Sequence, residues 1–158
     1  MSTVLHMIEL RSGSVADLGL IDSIMAAAFD PRFGEAWTHN QCLGIMALPG
    51  VWLTIATLDG APAGFALSRL AADEAELLLL ATVPAMRRCG VAAALLRSVV
   101  ADSVTAGAHK LHLEVREGNE AIRLYQGTGF VKVGERRDYY RGTSGQAFHA
   151  FTYSRDLR

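Results

Sequence analysis

The nine residues Ala75–Val83, AELLLLATV, constrain this chain more than any other segment. An uninterrupted apolar run this short falls far below the ~20 residues that cross a membrane. It reads instead as a strand covered on both faces. Pro84 ends it, and a basic turn, Arg87-Arg88-Cys89-Gly90, leads directly into the strongest helical pattern of the chain, Val91–Ala106. There Val91, Leu95 and Val99 form one i, i+4 row and Leu96, Val100 and Val104 a second beside it, with Gly107 as the natural C-cap. Lys110–Arg116 then alternates: Leu111, Leu113 and Val115 share one face, His112, Glu114 and Arg116 the other. The three segments make a strand–helix–strand unit.

Around it the punctuation is clear. Val4–Arg11 reads as a first strand. Ser14 caps a helix, with Asp17 in the capping-box position and an apolar stripe of Val15, Leu18, Ile21 and Met25. Asp30-Pro31 stops it, Phe33–Trp37 is a loop, and Thr38 caps a second helix reaching about Leu48. Val51–Leu58 and Ala61–Leu70 flank Asp59-Gly60, a two-residue hairpin turn. Asn119 caps a helix running to about Thr128, and Phe130–Tyr140 and Phe148–Arg155 close the chain as two strands around Gly142–Gly145. The order β α α β β β α β α β β predicts an α+β fold, an α/β sandwich with a mixed, mostly antiparallel central sheet of about seven strands and helices on both faces.

Composition narrows the function. A length of 158 residues with 51% hydrophobic and 20% charged residues predicts one globular domain, 1–158, rather than a disordered chain. A net charge of −1 gives no drive toward nucleic acid or an anionic membrane. Cys42 and Cys89 have no ligand spacing between them or with a histidine, which suits a reduced cytoplasmic protein without a metal. Glu9 and Arg11 stand where a signal peptide would continue its apolar stretch. The oligomeric state is not legible.

The basic turn carries the first chemical signal. A strand-to-helix turn points unpaired N–H groups and the positive end of the helix dipole at one spot, which favours an anion. Gly90 lets backbone approach a ligand closely, and Ala92 does not obstruct it. No GxxxxGK[ST] and no GxGxxG accompany it, so neither a nucleoside-triphosphate loop nor a dinucleotide fingerprint is present.

Arg87-Arg88-Cys89-Gly90-Val91-Ala92 resembles the Q/R-x-x-G-x-G/A cofactor motif of the Gcn5-related N-acetyltransferases. Leu113–Phe130, LEVREGNEAIRLYQGTGF, resembles the same family's second landmark, a strand followed by N…A…LY…GF. With Arg136-Arg137-Asp138-Tyr139-Tyr140 beyond it, the chain is most similar to the ribosomal-protein-alanine N-acetyltransferases. Three features depart from that pattern. The Asn119-to-Tyr125 spacing is one residue short, the P-W-[ST] segment survives only as Trp37-Thr38, and His149 stands in place of an acidic residue.

The resemblance implies acetyl-CoA as cosubstrate and a protein N-terminus, in particular that of a small-subunit ribosomal protein, as acceptor. It implies that Leu80, Ala81 and Thr82 offer backbone groups to the pantetheine arm, pairing with it as with an added strand. It places Arg88, Cys89, Gly90, Val91, Ala92 and Ala93 around the pyrophosphate, with Asn119 near the thiol end. Glu114 matches the general base and Tyr125 the general acid, while Trp37, Tyr139 and Tyr140 would line the acceptor side. The chemistry agrees, because an acceptor ammonium must lose a proton before it attacks and a departing thiolate must gain one. Each residue also has a plainer reading: Glu114 as a strand glutamate paired with Arg116 or a neighbouring strand, Tyr125 as core. Two other functions stay open, a small-molecule amine acetyltransferase and a non-catalytic acetyl-CoA-binding module.

Overall fold

In the computed structural model, which describes residues 5–158, the strands are β1 (Ile8–Ser12), β2 (Val51–Leu58), β3 (Ala61–Ala71), β4 (Glu74–Thr82), β5 (Lys110–Arg116), β6 (Val131–Arg141) and β7 (Ala147–Asp156). The α-helices are α1 (Leu18–Ala28), α2 (His39–Met46), α3 (Val91–Thr105) and α4 (Ala121–Gly127). All seven strands form one sheet in the order β1-β2-β3-β4-β5-β7-β6. Every neighbouring pair is antiparallel except β4 and β5, which the α3 crossover joins in parallel. The mixed, mostly antiparallel sheet is therefore the one expected.

Each face of the sheet carries its own core. On one, α3 supplies Val91, Leu95, Leu96 and Val99 against Ala66, Leu77, Leu111 and Leu113, with Tyr125 and Phe130 completing the layer. On the other, Leu18, Ile21, Ile24 and Met25 of α1 and Cys42 of α2 pack on Leu53, Ile55, Phe65, Leu67, Leu79 and Ala81.

Several boundaries differ from expectation. The first strand starts at Ile8: Val4 lies outside the described residues, and Leu5 and Met7 are exposed. The Ser14 capping box opens a 3-10 turn over Val15–Asp17 before α1, so Val15 lies outside the buried stripe. The last helix starts at Ala121, two residues beyond Asn119, whose side chain still caps it.

The long apolar run of β4 is interrupted where sequence gives no sign. Leu67 pairs with Leu79 and Ser68 with Leu77, leaving Leu78 as an extra residue. A bulge of this kind turns two successive side chains to one side. Ala75 and Leu77 accordingly face the α3 core, Leu78 and Leu79 the α1–α2 core, and Leu80 the α3 side again. The pairing of β4 with β5 stops at the same level, at Leu77 and Leu113. Beyond it β4 stays bonded to β3, and β5 to β7, while the two parallel strands separate. A cleft opens between them.

Candidate active site

The cleft continues into the turn read from sequence. After a 3-10 turn at Pro84–Met86, Arg88 (φ +64°) and Gly90 (φ +87°) both adopt the left-handed conformation. Gly90 takes it without a Cβ penalty, whereas a β-carbon there costs about 1–2 kcal/mol. Gly90 is also the N-cap of α3, and no side chain caps that helix. The first closing bond runs from the Ala94 N–H to the Gly90 carbonyl, 3.0 Å. The N–H groups of Val91, Ala92 and Ala93 thus face outward with the dipole behind them. Arg87 turns away: its Nη2 donates to the Ala28 carbonyl, 2.8 Å, and ties the turn to the end of α1.

Two cavities occupy the cleft. The larger, about 680 Å³, is lined by Leu80, Ala81, Thr82, Arg88, Gly90, Val91, Ala92 and Ala93, and lies within the roughly 300–1,000 Å³ of small-molecule sites. Cys89 does not line it; its thiol turns to the Arg87 carbonyl, 3.6 Å. The smaller, about 120 Å³, is lined by Trp37, Glu76, Glu114, Tyr139 and Tyr140. Phe29, Glu35, Leu80, Asn119 and Tyr125 line both and mark the junction. The expected site residues therefore converge, Cys89 alone standing outside.

Their neighbours match the plainer reading for Tyr125 and, in part, for Glu114. Glu114, on the polar face of β5, accepts an ion pair from Arg136 Nε of β6 at 2.8 Å, so Arg136 rather than Arg116 is its partner. Tyr125 is buried, its ring edge-on to Phe130 at 5.9 Å. Burial, joined by Tyr140 and the charge of Glu35, pushes its phenol well above the ordinary tyrosine range. Tyr140 is pushed up likewise, by burial first and then by Glu35, Glu114 and Tyr139 against the opposing pull of Arg116.

Tyr139 and Tyr140 reach the same cavity because β6 is not regular. Arg136 pairs with Ala150 and Tyr140 with Phe148, so three residues on β6 face one on β7. Asp138 (φ +52°) turns the chain, and its N–H donates to His149 Nδ1 at 3.0 Å. His149, which stands where the resemblance has an acidic residue, locks this bulge. In a regular strand the two tyrosines would point to opposite faces; here they pack edge to face at 5.0 Å.

Sequence reasoning missed Glu35. It follows a 3-10 turn at Pro31–Phe33 and Gly34 (φ +67°), where a β-carbon would collide with the Arg141 carbonyl oxygen. That close approach holds the loop against the end of β6. The Glu35 side chain is 10% exposed, and Arg116, 11% exposed, donates to it from Nε at 3.0 Å. Asn119 Nδ2 donates to its other oxygen at 2.7 Å. The Arg116 guanidinium lies 3.7 Å from the centre of the Phe33 ring. The partners are 81 and 84 residues away, and a lone glutamate in a loop has no periodicity to betray it. Among the described residues no group of three or more His, Cys, Asp or Glu side chains is placed to hold a metal, and no helix is long and apolar enough to cross a membrane.

A splayed parallel strand pair, an uncapped helix start and two cavities that meet at a buried tyrosine make up a two-armed cleft, one arm of which ends at free backbone N–H groups. The model of the acetyltransferase (GNAT) family matches residues 20–130, and the chain belongs to that family. It is 39% identical over 82 residues to the [ribosomal protein bS18]-alanine N-acetyltransferase of Haemophilus influenzae, covering 52% of this chain and 56% of that protein. To the enzyme of that name from Escherichia coli it is 38% identical over 91 residues, 57% of this chain and 62% of that protein. The matched stretches thus span little more than half of these relatives. The crystal structure of the ribosomal-protein-S18-alanine N-acetyltransferase from Escherichia coli superposes with a TM-score of 0.84 at 28% identity, over 96% of this chain and 94% of that one.

Proposed function

We propose that this chain is an N-acetyltransferase that moves the acetyl group of acetyl-CoA directly to a protein N-terminal α-amine, that of a ribosomal protein beginning with alanine. The observation that carries the reading is the junction: donor groove and acceptor cavity meet at Tyr125 and Asn119, with Glu114 on the acceptor side. The similarity to the bS18-alanine enzymes supports the choice of acceptor.

The residues fit the cosubstrate. The free N–H groups at the start of α3 and the Arg88 backbone turn suit a diphosphate. The side of β4 from Leu80 to Thr82 that has parted from β5 suits an extended amide-bearing arm. When bound, acetyl-CoA supplies an acetyl thioester. The chain's own residues then do the following. Glu114 takes a proton from the acceptor ammonium, directly or through water, and leaves a neutral amine. Tyr125 holds its phenolic proton for the sulfur that leaves. Trp37, Tyr139 and Tyr140 wall a space of about 120 Å³, several times the ~10–15 Å³ that admits one water. Such a space suits an amino terminus with a small side chain.

The test is coenzyme A release with a panel of acceptors. Peptides beginning with alanine are turned over fastest, with the acetyl group on the α-nitrogen by mass spectrometry. Preferential turnover of polyamines or free amino acids contradicts the reading, as does cofactor binding without release on any amine.

A further inference from the structure

Asn119 is the hinge between two bonds that determine each other. Its Oδ1 accepts from the Ala121 N–H at 2.9 Å, the first turn of α4. Its Nδ2 donates to Glu35 at 2.7 Å. An amide side chain can be turned either way, and its partners decide which end is oxygen. A carboxylate only accepts, so Glu35 forces the Nδ2 end toward itself and the Oδ1 end onto the helix. The Glu120 N-cap makes no side-chain bond, so Asn119 alone supplies the polar cap of this seven-residue helix. Tyr125 lies one turn further on, four residues after Ala121. Glu35 is itself fixed by Arg116, whose Nη1 also donates to the Glu117 carbonyl at 2.8 Å. The loop before α2, the end of β5 and the start of α4 are thus pinned at one carboxylate that lines both cavities.

We propose that Glu35 is a positioning residue for acetyl transfer: by dictating the orientation of Asn119 it holds α4 so that the Tyr125 hydroxyl stays at the junction of donor groove and acceptor cavity. This rests on the acetyl-transfer reading above. Glutamine at this position keeps the shape but can donate as well as accept, so Asn119 is free to turn over and the cap weakens. The negative charge beside Tyr125 goes with it.

The experiment is a kinetic cycle of Glu35→Gln and Tyr125→Phe, read as coenzyme A release with saturating acetyl-CoA and acceptor. Glu35→Gln lowers kcat about tenfold in the otherwise unchanged protein and changes it less than twofold in the Tyr125→Phe background, because its effect runs through Tyr125. General structural damage would lower kcat tenfold in both backgrounds, and that result overturns the inference, as does an unchanged kcat for Glu35→Gln in active enzyme. Because glutamine leaves Arg116 buried without its counter-charge, Glu35→Gln/Arg116→Met removes the pair as a unit and is carried through the same cycle with the same expectation. An unsubstituted protein that releases no coenzyme A with any amine contradicts the acetyl-transfer reading itself and takes this inference with it; the other outcomes bear on Glu35 alone.

Discussion

Glu114 and Glu35 each face an arginine, yet their settings differ. Glu114 is met by Arg136, whose side chain is 62% exposed, whereas Glu35 is met by Arg116, which is as buried as itself. An exposed guanidinium can swing aside at little cost, since ion pairs of this kind contribute roughly 0–1 kcal/mol. A pair buried on both sides holds fast. Glu114 therefore suits a group that exchanges a proton with an incoming ammonium, and Glu35 one that keeps its place. Glu114→Gln and Tyr125→Phe should each lower kcat by roughly 10²–10⁴ while the fold is kept, measured as steady-state coenzyme A release. Near-normal turnover in both would reject the two assignments. Alternation along Lys110–Arg116 was enough to place Glu114 on a polar face. Its partner was not legible, because Arg136 reaches it across β7 from a strand whose register is set by a bulge.

Elements follow the sequence where one local rule decides them and depart from it where a neighbour does. Helix α3 and strands β2 and β5 run where periodicity and turn residues put them, give or take a residue. Two of the sheet's bulges bear on the cleft, and neither is visible in the sequence. That at Leu78 leaves four leucines in a row, so the sequence cannot show that the strand changes faces. That at Arg137–Tyr139 depends on His149, eleven residues from Asp138 and on another strand. Both matter for the site, since one accompanies the parting of β4 from β5 and the other brings two tyrosines into one cavity. The turn before α3, proposed as the anion seat, is the exception: it is legible locally because glycine is needed where φ is +87°. A β-carbon at Gly90 meets only Ile8 Cδ1 at 3.7 Å, an ordinary contact. The cost of Gly90→Ala is therefore conformational, about 1–2 kcal/mol of stability by thermal or urea denaturation. The acetyl-CoA dissociation constant, measured by calorimetry, should rise with it, and unaltered affinity would count against this turn as the phosphate seat.

At the scale of the whole molecule, the sheet separates two cores, and the cleft lies where they stop sharing a strand pair. One core carries α3 and α4, hence the helix start and Tyr125; the other carries α1 and α2, hence the loop with Glu35 and Trp37. The motif resemblance concerns the first half, whose residues follow one another within Arg87–Ala93 and Leu113–Phe130. The second half is assembled by contacts such as Glu35 to Arg116 and Asn119 that only the folded chain brings about. Both halves are proposed to close around one bound molecule, which a crystal structure with coenzyme A tests most directly. The diphosphate should sit on the backbone N–H groups of Val91–Ala93, with the pantetheine arm along Leu80–Thr82 and the sulfur within reach of Tyr125. Diphosphate density elsewhere, or a sulfur directed away from Tyr125, would contradict the account.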